Sequence, residues 1–225
     1  MKKARVFFSD GKLSVLIIVA IIVIDQIIKI AVKTNMCLGE SICVTDWFFI
    51  DFIENKGMAF GMTFINKIFL SLLRLCAIVI IGYYIFKQVK AHARTRYIVF
   101  LSMIVAGAAG NLLDSMFYGL IFDETTPFSI SSFVPFGTGY AGFLMGKVVD
   151  MFYFPLIVTT WPNWMPFVGG EEFVFFSPVF NFADACVSVG VILLLLFGRK
   201  DLEKLSFFKK EEKKKENIED KNGRK

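Results

Sequence analysis

The chain has 225 residues, of which 56% are hydrophobic and 27 are phenylalanine, and its formal net charge is +5. The apolar residues are clustered in long runs, which indicates a membrane protein and excludes an ordinary soluble domain. Because the basic residues lie in short connections and a tail, we expect contact with an anionic membrane surface and no nucleic acid partner. A single histidine, His92, and four cysteines without C-x-x-C spacing argue against a metal site, and we expect no cofactor.

Four apolar segments are long enough to cross a bilayer, since a span needs roughly 20 mostly apolar residues. They lie at about 13–33, 65–86, 97–117 and 179–198. Basic residues precede the first span, fill the connection KQVKAHARTR and follow the fourth span. With four spans, these three basic regions lie on one side of the membrane, and the positive-inside rule makes that side cytoplasmic. We therefore predict a multi-pass protein whose two termini are both cytoplasmic.

Two regions then lie on the outer side of the membrane. Residues 34–64 mix β-branched and aromatic residues with polar ones, a pattern that predicts short strands. Residues 118–178 contain all six prolines and show no clean period, so we predict loops and short helices at the outer surface. Residues 199–225 form a charged tail that we expect to be disordered and cytoplasmic. The remainder, 1–198, is predicted to form one membrane domain.

Polar residues inside or beside apolar runs point to a site, because intramembrane ionisable groups are costly and usually face the protein interior or a water-filled cavity. Seven such residues come from five separate stretches. They are Asp25, Asn55, Asn111, Asp114, Asp150, Asn181 and Asp184. The predicted topology puts every one of them near the outer boundary, whereas unrelated structural features would scatter over both leaflets.

Several of these residues also have a purely structural interpretation. Asp25 and Lys29 are four apart on one helical face and could neutralise each other while Lys29 reaches outward to the interface. An acid in the first turn of the fourth span favours the positive end of the helix dipole. Asn111 and Asp114 could form a polar contact between helices, packed closely through the small residues of AGAAG. Two further expectations are an exposed Glu54 and, as one possibility, a disulfide between Cys37 and Cys43.

Five stretches resemble, in chain order, the motifs of the lipoprotein signal peptidases (signal peptidase II). They are DQIIK at 25–29, NKGMAFG at 55–61, AGAAGNLLDS at 106–115, GKVVD at 146–150 and FNFAD at 180–184. The resemblance implies a mainly α membrane protein of the bacterial inner membrane, with four transmembrane helices, a small extracytoplasmic β-cradle and interfacial loops. It also implies an aspartic endopeptidase that cuts the signal peptide from a lipidated prolipoprotein just before a diacylglyceryl-modified cysteine.

The same resemblance implies the site residues. Asp150 and Asp184 match the catalytic pair of the family. The supporting or substrate-binding positions are Asp25, Lys29, Asn55, Gly57, Asn111, Asp114, Asn181 and Ala183. Ser115 stands where the family usually has arginine, so the charge pairing of that arginine must be absent or come from another residue. The stretch between Asp114 and Asp150 is also longer than usual for the family.

Paired carboxylates suit peptide-bond hydrolysis because two neighbouring acids do not easily ionise together and therefore share one proton. The ionised member takes a proton from water while its partner polarises the scissile carbonyl. The expected partners are prolipoprotein substrates and membrane lipids, and we expect a monomer. The alternative is a proton-coupled transporter that uses the same carboxylates as a relay. It is disfavoured because the chain has no internal symmetry and its polar groups cluster on one side.

Overall fold

The computed structural model describes residues 9–55, 67–199 and 201. Its helices are α1 (Asp10–Lys33), α2 (Lys67–Lys90), α3 (Thr95–Leu113), the single turn α4 (Gly119–Ile121) and α5 (Phe182–Phe197), with a π-helical turn (Asp114–Tyr118) joining α3 to α4. A bilayer offers no partner for unpaired backbone groups, so these apolar runs satisfy their own hydrogen bonds as helices. All four predicted spans contain a helix.

Three helices of the described chain are long and apolar enough to cross a membrane: α1, α2 and the continuous stretch Thr95–Ile121. The fourth, α5, has 16 residues. At 1.5 Å per residue it is about 24 Å long, somewhat shorter than a hydrocarbon core of about 30 Å. In the centre of the bundle, α3 packs against α1, α2 and α5.

The two ends of the bundle differ in their chemistry. At one end, Thr95 Oγ1 donates to Asp10 Oδ1 at 2.8 Å, and Arg94 lies 3.7 Å from Asp201. These contacts bring together the start of α1, the basic connection between α2 and α3, and the chain just after α5. The opposite end therefore holds the last turn of α1, the end of α3 and the first turn of α5, next to the strands.

Close helix packing at that opposite end depends on two glycines of α3. A Cβ atom at Gly107 would lie 2.3 Å from the carbonyl oxygen of Ala183 on α5, and one at Gly110 would lie 2.6 Å from Asp25 Oδ2 on α1. Neither position has room for a side chain. The prediction that AGAAG lets neighbouring helices approach closely is confirmed, and the approach brings α1 and α5 within hydrogen-bonding reach of each other across α3.

An antiparallel three-stranded sheet lies beside this end of the bundle. Its strands, in spatial order, are β1 (Ser41–Thr45), β2 (Phe48–Asn55) and β3 (Val148–Tyr153). The strands predicted within 34–64 are confirmed over the described residues, while 56–64 lie outside them. Two further strands, β4 (Ile157–Thr160) and β5 (Glu172–Phe175), form a separate hairpin.

The prediction of loops and short helices for 118–178 was therefore wrong for the second half of that region, which contains β3, β4 and β5. The reason lies in burial. The first four residues of β3 are all buried, Asp150 among them, so the strand is covered on both faces and its sequence has no alternating pattern. One face of the sheet covers an apolar cluster in which Phe52, Val149 and Met151 are fully buried together with Tyr118 and Phe122.

Of the predicted tail, 199–225, residues 200 and 202–225 lie outside the described residues. Its predicted disorder, and with it the division into a membrane domain and a tail, stays a prediction.

Candidate active site

Asp150 and Asp184 lie on different elements, and a pair of backbone hydrogen bonds joins these elements. Asp150 lies on β3, opposite Ile53 of β2, and Asp184 lies in the first turn of α5. Between them the chain leaves the sheet and returns, and Phe152 and Phe180 then exchange two backbone hydrogen bonds of 2.7 and 3.0 Å. The start of α5 is thereby fixed against the strand that carries Asp150.

Two asparagine side chains connect the two carboxylates. Asn181 Nδ2 donates to Asp150 Oδ1 at 2.6 Å and to Asn111 Oδ1 at 3.0 Å. Asn111 Nδ2 in turn donates to Asp184 Oδ1 at 2.7 Å. On the other side, Asn55 Nδ2 donates to Asp150 Oδ2 at 3.2 Å. The four elements β2, α3, β3 and α5 thus contribute to one hydrogen-bond network that contains both aspartates.

Asn181 also caps α5. Its Oδ1 accepts a hydrogen bond of 2.9 Å from the backbone N–H of Asp184, which satisfies one of the unpaired donors at the start of the helix. Asp184 lies in the first turn of α5, as the structural interpretation required, but the residue that caps the helix is Asn181, and this role is compatible with a functional one. The cap fixes the backbone of Asp184, while the other end of the same amide contacts Asp150.

The environment of Asp150 favours a protonated carboxyl group near neutral pH. Burial, which leaves Asp150 4% exposed, raises its pKa to about 7, and the negative charge of Asp184 contributes in the same direction. The amide donors of Asn55 and Asn181 oppose this shift because they stabilise the ionised form. Asp184 is only half-buried. The pair therefore combines a shielded acid that holds a proton with a more accessible one.

Beneath this pair lies a fully buried ionic cluster around Lys29. Its Nζ lies 2.9 Å from Asp25 Oδ2 and 2.8 Å from Asp114 Oδ2, and it donates to Asn111 Oδ1 at 2.7 Å. The three donors of the ammonium group thus have three partners. The interpretation in which Lys29 reaches outward was wrong, because Asp114 and Asn111 on α3 offer an inward anchor that the α1 sequence cannot reveal.

The two carboxylates of this cluster also hold the backbone beside the predicted catalytic residues. Asp25 Oδ1 accepts a hydrogen bond of 2.9 Å from the N–H of Ala183, the residue before Asp184. Asp114 Oδ2 lies 3.4 Å from the N–H of Val149, the residue before Asp150. A single lysine therefore stabilises two acids, each of which fixes one side of the pair.

Two residues of this network were missed at the level of sequence. Gln26 Nε2 donates to Asp114 Oδ1 at 2.8 Å, and Tyr118 Oη donates to Gln26 Oε1 at 3.1 Å. Gln26 carried a usable signal, since it is a polar residue between Asp25 and Lys29 inside an apolar span. Tyr118 carried none, because a tyrosine among apolar residues at the end of a span is ordinary.

Nine of the ten predicted site residues are described, and all nine lie in this network; Gly57 lies outside the described residues.

Ser115 donates to the carbonyl oxygen of Asn111 on its own helix, 3.1 Å away. Cys37 and Cys43 have free thiols, so the structure contains no disulfide between them. Across residues 9–55, 67–199 and 201, no group of three or more His, Cys, Asp or Glu side chains is arranged to hold a metal ion.

Comparison with known proteins identifies the family. A family model described as signal peptidase (SPase) II matches residues 17–198. The chain belongs to the signal peptidase II family. A lipoprotein signal peptidase from Porphyromonas gingivalis is 51% identical over 188 residues, which cover 83% of each chain. A second one, from Amoebophilus asiaticus, is 34% identical and covers 81% of this chain and 75% of its own.

The fold has a solved counterpart, a bacterial membrane enzyme whose structure was determined by the in meso method at 2.3 Å. It superimposes with a TM-score of 0.57 at 23% identity, over 85% of this chain and 90% of the other. The predicted family and fold class are thus confirmed, and membership of the signal peptidase II family makes this protein a peptidase. The proton-coupled transporter has no support in these matches.

Proposed function

We propose that this peptidase removes the signal peptide from prolipoproteins by cleaving the bond before a diacylglyceryl-modified cysteine, with Asp150 and Asp184 as the catalytic residues. The observation that carries the proposal is the hydrogen-bond network that links these two aspartates through Asn111 and Asn181. The names of the relatives, lipoprotein signal peptidases, supply the class of substrate.

In the proposed reaction the pair shares one proton, and Asp150 holds it in the resting enzyme. Asp184, the half-buried member of the pair, takes a proton from the attacking water, while Asp150 donates a hydrogen bond to the scissile carbonyl. The tetrahedral intermediate then collapses as Asp184 passes its proton to the leaving amine. Burial of Asp150 supports this assignment because it raises the pKa of that carboxyl group to about 7, so the group keeps its proton up to about neutral pH.

We place the site at the extracytoplasmic face of the bacterial inner membrane and both termini in the cytoplasm. The basic connection between α2 and α3 supports this orientation through the positive-inside rule, and the site lies at the opposite end of the bundle. A diacylglyceryl cysteine with its acyl chains in the outer leaflet would then present its scissile bond near the headgroups. Exposed aromatic side chains of the outer loops, among them Trp47, Trp164 and Phe167, suit that level.

Membrane lipids are the proposed partners of the helix surface, and a monomer is the proposed functional unit. Large apolar side chains of α2 are exposed, including Leu73, Val79 and Ile80, each more than half exposed. Such a face is stable in lipid and not in water. A monomer suffices because a single chain supplies both aspartates and every described residue that binds them.

The test is cleavage of a lipidated prolipoprotein by purified protein in detergent or lipid, beside the same prolipoprotein without its diacylglyceryl group. We expect cleavage of the lipidated form alone, with the new N-terminus at the modified cysteine by mass spectrometry. Equal cleavage of both forms would contradict recognition of the lipid. Failure to cleave either form, by protein whose unfolding remains cooperative, would contradict the proposed function.

The reaction should lose rate as the pH rises through about 7, because the pair then gives up its shared proton. Asn55 stabilises the ionised form of Asp150, so the Asn55→Ala variant should raise the pKa of that carboxyl group. We expect its alkaline limb to move upward by about one to two pH units, because a hydrogen bond to a charged group contributes about 1.5–3 kcal/mol and one pKa unit corresponds to about 1.4 kcal/mol. The pH profile of kcat measures this shift. A limb that stays in place or moves downward would show that Asn55 does not tune Asp150.

A further inference from the structure

Glu54 lies at the centre of a second buried ionic cluster, contrary to the expectation that it is exposed. Its two carboxylate oxygens bind different lysines, Lys33 at 2.5 Å and Lys147 at 2.8 Å. The side chains of Glu54 and Lys33 are 2% and 0% exposed, and that of Lys147 is 15% exposed. We call these three residues the back clasp. None of the three shares a described hydrogen bond with Asp150 or Asp184, so the proposed chemistry does not require them directly.

The back clasp joins the ends of three elements that carry the site. Lys33 is the last residue of α1, the helix that carries Asp25 and Lys29. Glu54 is the penultimate residue of β2, and Lys147 directly precedes β3, the strand of Asp150. Two salt bridges therefore fix the positions of α1, β2 and β3 relative to one another.

The long segment after α4 covers the back clasp. Lys33 Nζ donates to Thr125 Oγ1 at 2.8 Å and lies 5.2 Å from the ring centres of both Phe122 and Tyr140. The backbone N–H of Lys147 donates to Tyr140 Oη at 2.6 Å. Shielding from water strengthens the attraction between opposite charges, and an enclosed cluster loses the mobility of a surface pair. The stretch between Asp114 and Asp150, which is longer than usual for the family, therefore shields these salt bridges from water.

Strand geometry connects the back clasp to the site. Successive side chains of a strand point to opposite faces, so Glu54 faces the buried core with Phe52 while Asn55 faces Asp150. Asn55 is the last residue of β2, and strand ends open easily unless contacts hold them.

Although burial raises the pKa of Glu54, the neighbouring Lys33 and Lys147 ammonium groups outweigh it and keep that pKa below its ordinary value. The carboxylate is therefore charged and bound throughout the neutral range.

We infer that the back clasp positions Asn55, so that Glu54 is a positioning residue for cleavage and acts on Asp150 through Asn55. The inference rests on the proposed function and adds residues to it. Glu54 holds the end of β2 from behind, and the amide of Asn55 keeps its place beside Asp150 as a result. Loss of the clasp should let the end of the strand move, and a misplacement of about 1 Å in such a site can cost about 100-fold in rate.

The test compares Glu54→Gln, Glu124→Gln and Asn55→Ala, and combines Glu54→Gln with Asn55→Ala. We expect Glu54→Gln to lower kcat about 10- to 100-fold with little change in KM, measured well below its melting temperature. Glu124→Gln is the matched control, because Glu124 is 67% exposed and lies 3.4 Å from the same Lys147; its kcat should stay within about twofold, as for a surface pair. Asn55→Ala should lower the plateau kcat by a similar factor, because besides shifting the pH profile it removes the contact that holds Asp150 in place. In that background, Glu54→Gln should lower kcat no further.

Independent, multiplicative losses in the double variant would overturn the inference, since Glu54 would then not act through Asn55. Unchanged kcat in Glu54→Gln would overturn it as well. Should that variant fail to fold, Glu54→Asp keeps the charge and shortens the side chain by one methylene; we expect it to fold with a reduced kcat, and full activity would refute the inference. Cleavage by the wild-type protein in the same assay separates these outcomes from a failure of the proposed function.

Discussion

Replacing Asp150 or Asp184 by asparagine should lower the rate of prolipoprotein cleavage by about 10³-fold or more, while the protein still inserts and folds. Asparagine has nearly the same shape as aspartate and retains a carbonyl oxygen for the hydrogen bonds from Asn181 or Asn111. It cannot take a proton from water or give one to the leaving amine. The double variant should be no slower than either single variant, because the two carboxylates act as one unit.

Stability separates a chemical role from a structural one. Burial of Asp150 raises its pKa to about 7 in the folded protein. The folded state therefore binds this proton more tightly than the unfolded chain does, which stabilises the fold below the ordinary pKa of aspartate. That stabilisation is lost as the pH rises through about 7. An amide in its place does not ionise, so the Asp150→Asn variant should melt at or above the wild-type temperature at pH 8. Asp46→Asn, in the exposed turn between β1 and β2, is the matched control and should leave both rate and melting temperature unchanged. A slow variant that also unfolds would point to structure, and more than a few per cent of residual activity in folded protein would refute the proposed chemistry.

The membrane class, the helices and most residues of the candidate site follow from the sequence for a common reason. A carboxylate or an amide inside a run of isoleucine, valine and phenylalanine is conspicuous, since its burial is costly unless a partner is present. Asp25, Asn111 and Asp184 were found in this way. Asp150 was also conspicuous, although its secondary structure was misjudged because β3 is buried on both faces and shows no alternating pattern.

What the sequence could not show is the set of partners that other elements bring. The spacing of Asp25 and Lys29 gives a helical pair, and the same spacing occurs on exposed helices where such pairs contribute little. Only the packing of α3 adds Asp114 and turns the pair into a buried triad. Glu54 was misjudged for the same reason. A polar residue at the end of a strand is ordinarily exposed, and its two lysine partners are 21 and 93 positions away in the chain.

The largest effect on stability is expected from Lys29→Met. This change preserves the length and apolar part of the side chain but leaves Asp25 and Asp114 facing each other without a positive charge. Breaking a buried ion pair by removing one partner costs about 3–5 kcal/mol, which corresponds to a fall in melting temperature of about 10 °C for a chain of this size. Asn111 also loses one of the two donors to its Oδ1 and keeps only Asn181, so its contact with Asp184 should weaken and cleavage should slow even in the folded fraction.

Thermal unfolding in detergent measures this effect, with Lys87→Met as the matched control. Lys87 is exposed in the last turn of α2, so its replacement should change the melting temperature by less than about 2 °C. Adding Asp25→Asn and Asp114→Asn to Lys29→Met removes the uncompensated charges, and this triple variant should melt above the single one. That recovery distinguishes an electrostatic cause from simple loss of packing. An unchanged melting temperature in Lys29→Met would mean that the two acids are neutral in the folded protein, because a lysine that compensates buried charge cannot be removed without cost.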